Sequence, residues 1–314
     1  MRNWVIAAGL VFLLAGCTSE QANATPIIEV EAINEHTVKD EGLEVKDIKP
    51  DYFVYKLIDS RTGELLTEYQ PVHYSEKEVY ENDIEELAEK MAKEIDQPMK
   101  NAKIDGKGHL IQGTKRVILS EKELVENLKN LKIDNELTVT VPIYETMPNV
   151  TNESIKGISE QVIASYTTNF RTTDTGRNRN IELSAAAINN VVLGPGDYFS
   201  YNEVVGPRTS EAGYQPAPEI INKELVMGIG GGICQTSSTL FNAVDQAGVK
   251  ITAITHHSKS VGYVPEGRDA TVSWGGPDFK FVNDKNYPIV IKTKMDKANG
   301  TLTVEVRTAK KNIQ

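Results

Sequence analysis

The stretch Gly228-Ile229-Gly230-Gly231-Gly232 runs through Ile233 into Cys234, Gln235, Thr236 and Ser237. Glycines at this density let a backbone approach a ligand closely. The residues that follow turn helical: Leu240, Phe241, Val244 and Ala247 share an apolar side, and Gly248 supplies a stop. Cys234 therefore sits where a glycine loop enters a helix. A helix N-terminus presents unpaired N–H groups and the positive end of the helix dipole. Both favour a thiolate, so a depressed thiol pKa and nucleophilic chemistry are expected at Cys234. The competing reading is a buried structural cysteine, since free cysteine packs as a small hydrophobe.

The compartment bears on that choice. Met1-Arg2-Asn3 is followed by an almost wholly apolar run, Trp4 to Ala15, too short to span a bilayer comfortably. Leu14-Ala15-Gly16 places small residues ahead of Cys17, as at a secretory cleavage point. This arrangement resembles a bacterial lipobox. The resemblance implies a leader over 1–16, a diacylglyceryl thioether on Cys17 and a short polar tether over 17–25 leading to the fold. The chain has two cysteines. With Cys17 lipidated, Cys234 has no partner in the chain, and a lone thiol in an exported protein calls for a chemical explanation.

Net charge is −10, which argues against nucleic acid as a partner, because such binding needs a basic footprint. The five histidines form no metal-spaced cluster with a second cysteine, and neither a metal nor a cofactor is expected. The glycines belong to no evident strand–glycine–helix unit with a distal acidic residue, which argues against a dinucleotide loop.

The elements that must position these groups fall into two parts. In 26–147, Tyr52 to Ile58 and Glu64 to Tyr69 read as a hairpin, and Ile84, Leu87, Ala88, Met91, Ala92 and Ile95 as one face of a helix. Ser120 and Glu123 make a capping-box signal, and Glu136 to Val141 alternates as a strand. This part is expected to be a small α+β unit with no catalytic constellation. In 150–314, Ile155, Ile158, Val162, Ile163 and Tyr166 suggest a helix capped by Thr151, residues 167–179 a polar loop carrying Arg177, and 180–191 a second helix. The glycine-led helix comes third, followed by strands and hairpins to the C-terminus. Helices and strands do not alternate regularly, so the fold class is α+β.

Phe199-Ser200-Tyr201-Asn202, Gly206-Pro207-Arg208-Thr209, Gly213-Tyr214, Gly230 to Gln235, His257-Ser258, Tyr263-Val264-Pro265 and Gly267 to Val272 occur in that order. Together they resemble the VanW-like family. Residues 103–148 more loosely resemble the peptidoglycan-binding region that often precedes that domain. The resemblance implies a Gram-positive cell-envelope protein, held on the outer face of the plasma membrane and facing the wall. It also implies peptidoglycan stem peptides as partners and L,D-transpeptidation, which forms 3–3 cross-links through a cysteine. That activity is carried onto Cys234, and the base onto His257, whose neighbour Ser258 completes the family motif.

Acyl transfer also needs an oriented base, an oxyanion site and a hold on the substrate. Asp269 is a candidate to orient the His257 imidazole, as in triads generally. His256 is the alternative base, and as an adjacent residue it is expected to point elsewhere. The N–H groups of Gly231, Gly232, Ile233 and Cys234 are the oxyanion donors. Arg177, Arg208 and Arg268 suit stem-peptide carboxylates, which guanidinium groups bind bidentately. Tyr201, Tyr214 and Tyr263 either line a groove or pack the core. A binding module without catalysis and a cysteine peptidase of the same stem peptides remain the rival functions.

Overall fold

The computed structural model describes residues 49–221 and 224–313. The leader, Cys17 and the tether lie outside the described residues. Among the described residues no helix is long and apolar enough to cross a membrane.

The first region contains β1 (Tyr55–Asp59), β2 (Leu65–Tyr69), α1 (Lys77–Ile95), β3 (Ala102–Ile104), β4 (Leu110–Ile111), β5 (Arg116–Leu119), α2 (Glu121–Lys129), β6 (Thr138–Val141) and β7 (Ile143–Thr146). The β1–β2 hairpin forms as expected and continues into parallel β6. The stripe of α1 is buried at Ile84, Ala88, Met91 and Ala92, and it shares a core with Leu57, Val117, Leu124 and Val139. Ser120 is the N-cap residue of α2, but its hydroxyl makes no capping bond. The Glu123 carboxylate instead accepts from Tyr144 Oη at 2.6 Å, so the expected capping box is absent.

The second region contains β8 (Gln161–Asn169), α3 (Thr175–Ile188), β9 (Val191–Leu193), β10 (Tyr198–Ser200), α4 (Tyr201–Val205), β11 (Pro216–Ile221), β12 (Glu224–Ile229), α5 (Ile233–Gln246), β13 (Lys250–Ala253), β14 (Lys280–Val282), β15 (Ile289–Asp296) and β16 (Thr301–Thr308). Its main sheet runs β4-β3-β9-β15-β16-β8, so β3 and β4 of the first region complete it. Every pair in that sheet is antiparallel. Leu302, Val304 and Val306 alternate with half-buried residues along β16. Val304 and Val306 share a core with Leu240, Phe241 and Val244 of α5. The mixed helices and sheets bear out the α+β class.

Three local expectations are overturned. Residues 161–169 form a strand paired along β16, not a helix. Ile155 and Ile158 mimic a helical stripe, yet the chain turns at Gly157 (φ 74°) and both isoleucines fill a small core with Val192 and Val290. Downstream, Val162, Ile163, Thr167 and Thr168 are β-branched and suit the pleated surface. The polar loop is shorter than expected, because α3 begins at Thr175 and puts Arg177 on its first turn. Finally, a strand does precede the glycines: β12 pairs with β11 as a hairpin. Paired among the described residues only with an antiparallel neighbour, β12 does not make the parallel βαβ unit of a dinucleotide site.

Candidate functional site

Gly230 and Gly232 have φ of 102° and 105°, a region that L side chains rarely adopt. Both also admit an arginine. A Cβ on Gly230 would lie 3.1 Å from Arg208 Cβ, and one on Gly232 would lie 2.7 Å from Arg177 Cγ. Gly231 packs on β11, where a Cβ would meet the Ala217 and Pro218 carbonyls at 2.5 and 2.6 Å. The loop is tied down by buried Asn180 of α3, whose amide donates to Gly231 O and Gln215 O, both at 2.9 Å. The glycines thus bring Arg177 and Arg208 close to the loop that leads into α5.

Helix α5 is held along its length by the segment Arg268 to Val272. Asn242 Nδ2 donates to Arg268 O at 2.8 Å, Ala270 N donates to Ser238 Oγ at 2.9 Å, and Cys234 Sγ lies 3.6 Å from Val272 O. The spacing is physical. Four helical residues rise about 6 Å, and two extended residues cover about 6.6 Å. Cys234, Ser238 and Asn242 therefore match every second residue of the strap in turn. The residues between them face the other way: Thr271 N donates to Thr255 O at 2.7 Å, and Asp269 turns to the histidines.

Asp269 is buried and accepts from the His257 backbone N–H at 2.6 Å, with His257 Nδ1 also 2.6 Å from the same oxygen. Burial alone would raise the Asp269 carboxyl, but the His257 N–H and imidazole outweigh it and hold the group below the usual carboxylate range. The His257 side chain is only 8% exposed. His256 does not point elsewhere as expected. Its Nδ1 lies 2.7 Å from Asp269 O and 3.4 Å from Oδ1, so both rings converge on one aspartate. The reason is that Asp269 offers its backbone carbonyl to one ring and its carboxylate to the other.

The thiol departs from expectation. Burial pushes the Cys234 thiol up, although the nearby Arg208 cation offsets part of the shift. Its contact with the Val272 carbonyl is one that only the protonated thiol can make as donor. Desolvation of the thiolate thus outweighs the helix N-terminus here. The oxyanion expectation needs one correction too. Ile233 N donates to Gly230 O at 3.2 Å and is consumed by the turn. The N–H groups of Gly231, Gly232 and Cys234 have no partner among the described residues.

The arginines divide. Arg268 donates to Asn242 Oδ1 at 2.7 Å and to Asp245 Oδ2 at 2.8 Å, and it stacks over Phe241. Its anchor on α5 is eight residues beyond Cys234, about 12 Å along the helix, so it braces the strap and does not sit beside the thiol. Arg177 and Arg208 form no ion pair with a carboxylate among the described residues. Arg177 lies 5.9 Å over the Tyr263 ring. Arg208 donates through Nη2 to Asn202 Oδ1 at 2.7 Å, while its buried Nη1 has no partner. Tyr263 is half-buried, and burial raises its phenol. Tyr214 and Tyr201 belong to the main core, with Tyr201 Oη 3.4 Å from Ile233 O.

Sequence reasoning passed over Glu219, Asn180, Ser238 and Asn242. Glu219 on β11 is pushed up by burial, and its charge in turn disfavours the Cys234 thiolate. The stripe Cys234, Ser238, Asn242 at i, i+4, i+8 was the available signal for the strap. Among the described residues, no group of three or more His, Cys, Asp or Glu side chains is arranged to hold a metal.

A family model described as VanW like protein matches residues 176–307, which include every group named around Cys234. The uncharacterized protein YoaR of Bacillus subtilis (strain 168) is 53% identical over 156 residues, or 50% of this chain and 52% of that protein. The vancomycin B-type resistance protein VanW of Enterococcus faecalis (strain ATCC 700802 / V583) is 30% identical over 124 residues, or 37% of this chain and 44% of that protein. The chain thus spans about half the length of the curated relatives it matches. No solved structure matches it. The glycine turn, α5, the strap and the two histidines therefore all lie within the stretch that is similar to the VanW like protein family.

Proposed function

We propose that this chain is a cell-envelope acyltransferase that joins peptidoglycan stem peptides through Cys234. One observation carries the reading: a cysteine in the first turn of a helix follows a glycine loop packed against two arginines that have no carboxylate partner among the described residues. A related protein is named for resistance to vancomycin, an antibiotic of wall assembly, and that supports a cell-wall-associated role. The lipobox-like leader with Cys17 supports placement on the outer face of the membrane.

In this reading Arg177 and Arg208 take a stem-peptide carboxylate. Substrate displaces the thiol from the Val272 carbonyl, and the imidazole of His257 receives its proton, with Asp269 fixing the ring through Nδ1. Cys234 Sγ bonds to the carbonyl carbon before the terminal D-Ala. The free N–H groups of Gly232 and Cys234 hold the oxyanion, a role in which losing one donor typically costs about 100- to 1,000-fold in turnover. The D-Ala amine leaves with the proton, giving a thioester. The side-chain amine of a second stem peptide attacks that thioester, forms the cross-link and releases the thiolate, which recovers a proton. Water in place of the amine would make the protein a peptidase.

The raised thiol, bonded to Val272 O, favours one rival: a binding module in which Cys234 only packs. Incubation with tetrapeptide muropeptides separates the readings. We expect a thioester adduct on Cys234 by mass spectrometry, absent in Cys234→Ser, and 3–3 dimers as product. Binding of muropeptides with no adduct at any pH would establish the binding module, and shortened monomers would establish the peptidase.

A further inference from the structure

A cleft of about 440 Å³ adjoins the Arg208 side of the site, between β5 of the first region and β10. The volume falls in the range of about 300–1,000 Å³ usual for small-molecule sites, with room for about two sugar rings. Of the three aromatic residues that line it, Phe199 is buried, whereas Trp274 at 49% and Tyr198 at 42% exposure remain open. A large aromatic ring gains much from burial, so two left half-open over one cleft need a cause.

The rings are held there by structure. Trp274 sits on a closed turn in which Ser273 N donates to Pro277 O at 2.8 Å and Gly276 N to Ser273 O at 3.0 Å. Asn202 clamps both ends of that turn, donating to Ser273 O at 2.8 Å and Pro277 O at 3.0 Å. Tyr198 is fixed by pairing with Val282 and by Asn101 Nδ2, which donates to its carbonyl at 2.7 Å. A guanidinium lies near each ring: Arg208 is 6.0 Å from the Trp274 centroid, and Arg116, which also lines the cleft, is 4.6 Å from that of Tyr198. Glu203, Thr252 and Lys280 add hydrogen-bonding groups of both charges and none.

We infer that this cleft is a saccharide-binding subsite, with Trp274 and Tyr198 as stacking platforms. Sugar rings offer apolar C–H faces to aromatic rings and hydroxyls to a mixed polar rim, which is the chemistry assembled here. A β-1,4-linked amino-sugar glycan is the saccharide chosen, and that choice alone rests on the envelope reading above. Asn202 touches both this cleft and Arg208, so a glycan seated here would send its attached peptide toward Cys234.

Trp4 and Trp274 are the two tryptophans of the chain, so Trp4→Phe leaves Trp274 as the sole reporter. Titrating that full-length variant with chitohexaose should give a saturable change in tryptophan emission. Calorimetry should show affinity lowered at least tenfold by Tyr198→Ala and by Trp274→Ala, and retained by Tyr198→Phe. Cys234→Ser should bind as the parent does, so failure of the acyl-transfer reading leaves this result standing, and the converse holds. Absence of a saturable change, parental affinity in both alanine variants, or displacement of the signal by a sugar-free stem tetrapeptide would overturn the assignment.

Discussion

Helices α1 and α5 solve the same packing problem in opposite ways. The buried face of α1 is apolar but for the Tyr80 hydroxyl, which donates to Leu128 O at 2.7 Å, and its charged face meets solvent. Helix α5 is enclosed by β8, β16, α3 and the strap, and it buries Gln235, Thr236, Ser237, Ser238, Thr239 and Asn242 fully or nearly so. Those groups are tolerated because most are paired: Thr236 with Ser184, Thr239 with Thr168, Ser237 with Ala270, and Gln235 with Asn169. A buried polar group without a partner is costly, so such a network admits few arrangements. The first region is stabilised by volume and apolar area. The second is specified by hydrogen bonds, and that is where Cys234, His257 and Asp269 are positioned.

Substitutions can break this contrast. The largest effect is expected in the apolar region: Ile84→Ala should cost about 2–5 kcal/mol in denaturant unfolding, as for buried isoleucine generally. It should leave the fluorescence titration of Trp274 with chitohexaose unchanged.

Asp269→Asn should cost about 1.5–3 kcal/mol at neutral pH, the usual scale for hydrogen bonds to a charged group. It should also alter the acid limb of stability. Because the native carboxyl is held below its ordinary value of 3.8, its contribution is fully present above that pH and is lost as pH falls further. Stability against pH below about 4 should therefore be shallower in the variant than in the parent; equal slopes would remove Asp269 from the acid response.

Ser238→Ala should cost about 1–3 kcal/mol by leaving the Ala270 N–H buried and unpaired. Its sharper readout is chemical. Loosening the strap should change the alkylation rate of Cys234 by a thiol reagent, because Val272 belongs to the same segment. An unchanged rate would show that the strap does not control the thiol.

The sequence by itself determined a good deal. The stripe of α1 was legible because that helix has one wet face and one dry face, which imprints a period of 3.6 on the chain, and the β1–β2 and terminal β15–β16 hairpins because runs of β-branched and aromatic residues flank turn residues. Cys234 at a glycine-led helix start and His257 with Asp269 were legible as residue types in motifs. Their consequences were not. The strand at 161–169 was hidden because β8 gains its partner from β16, well over a hundred residues away. The helical period across Gly157 was a coincidence of isoleucines in a different core.

Only the tertiary structure decided the state of the thiol. A helix N-terminus is a local property and favours the anion. Enclosure by the surrounding core, with the Glu219 and Asp269 charges nearby, arises from distant segments, and it favours the protonated form. The tertiary structure likewise removed Arg268 from the site by giving it Asp245 and Asn242, and left Arg177 and Arg208 near the cysteine with no carboxylate partner among the described residues. Residue type sets what a side chain can do, but desolvation and partners set which charge state it holds, and both depend on segments far apart in the chain.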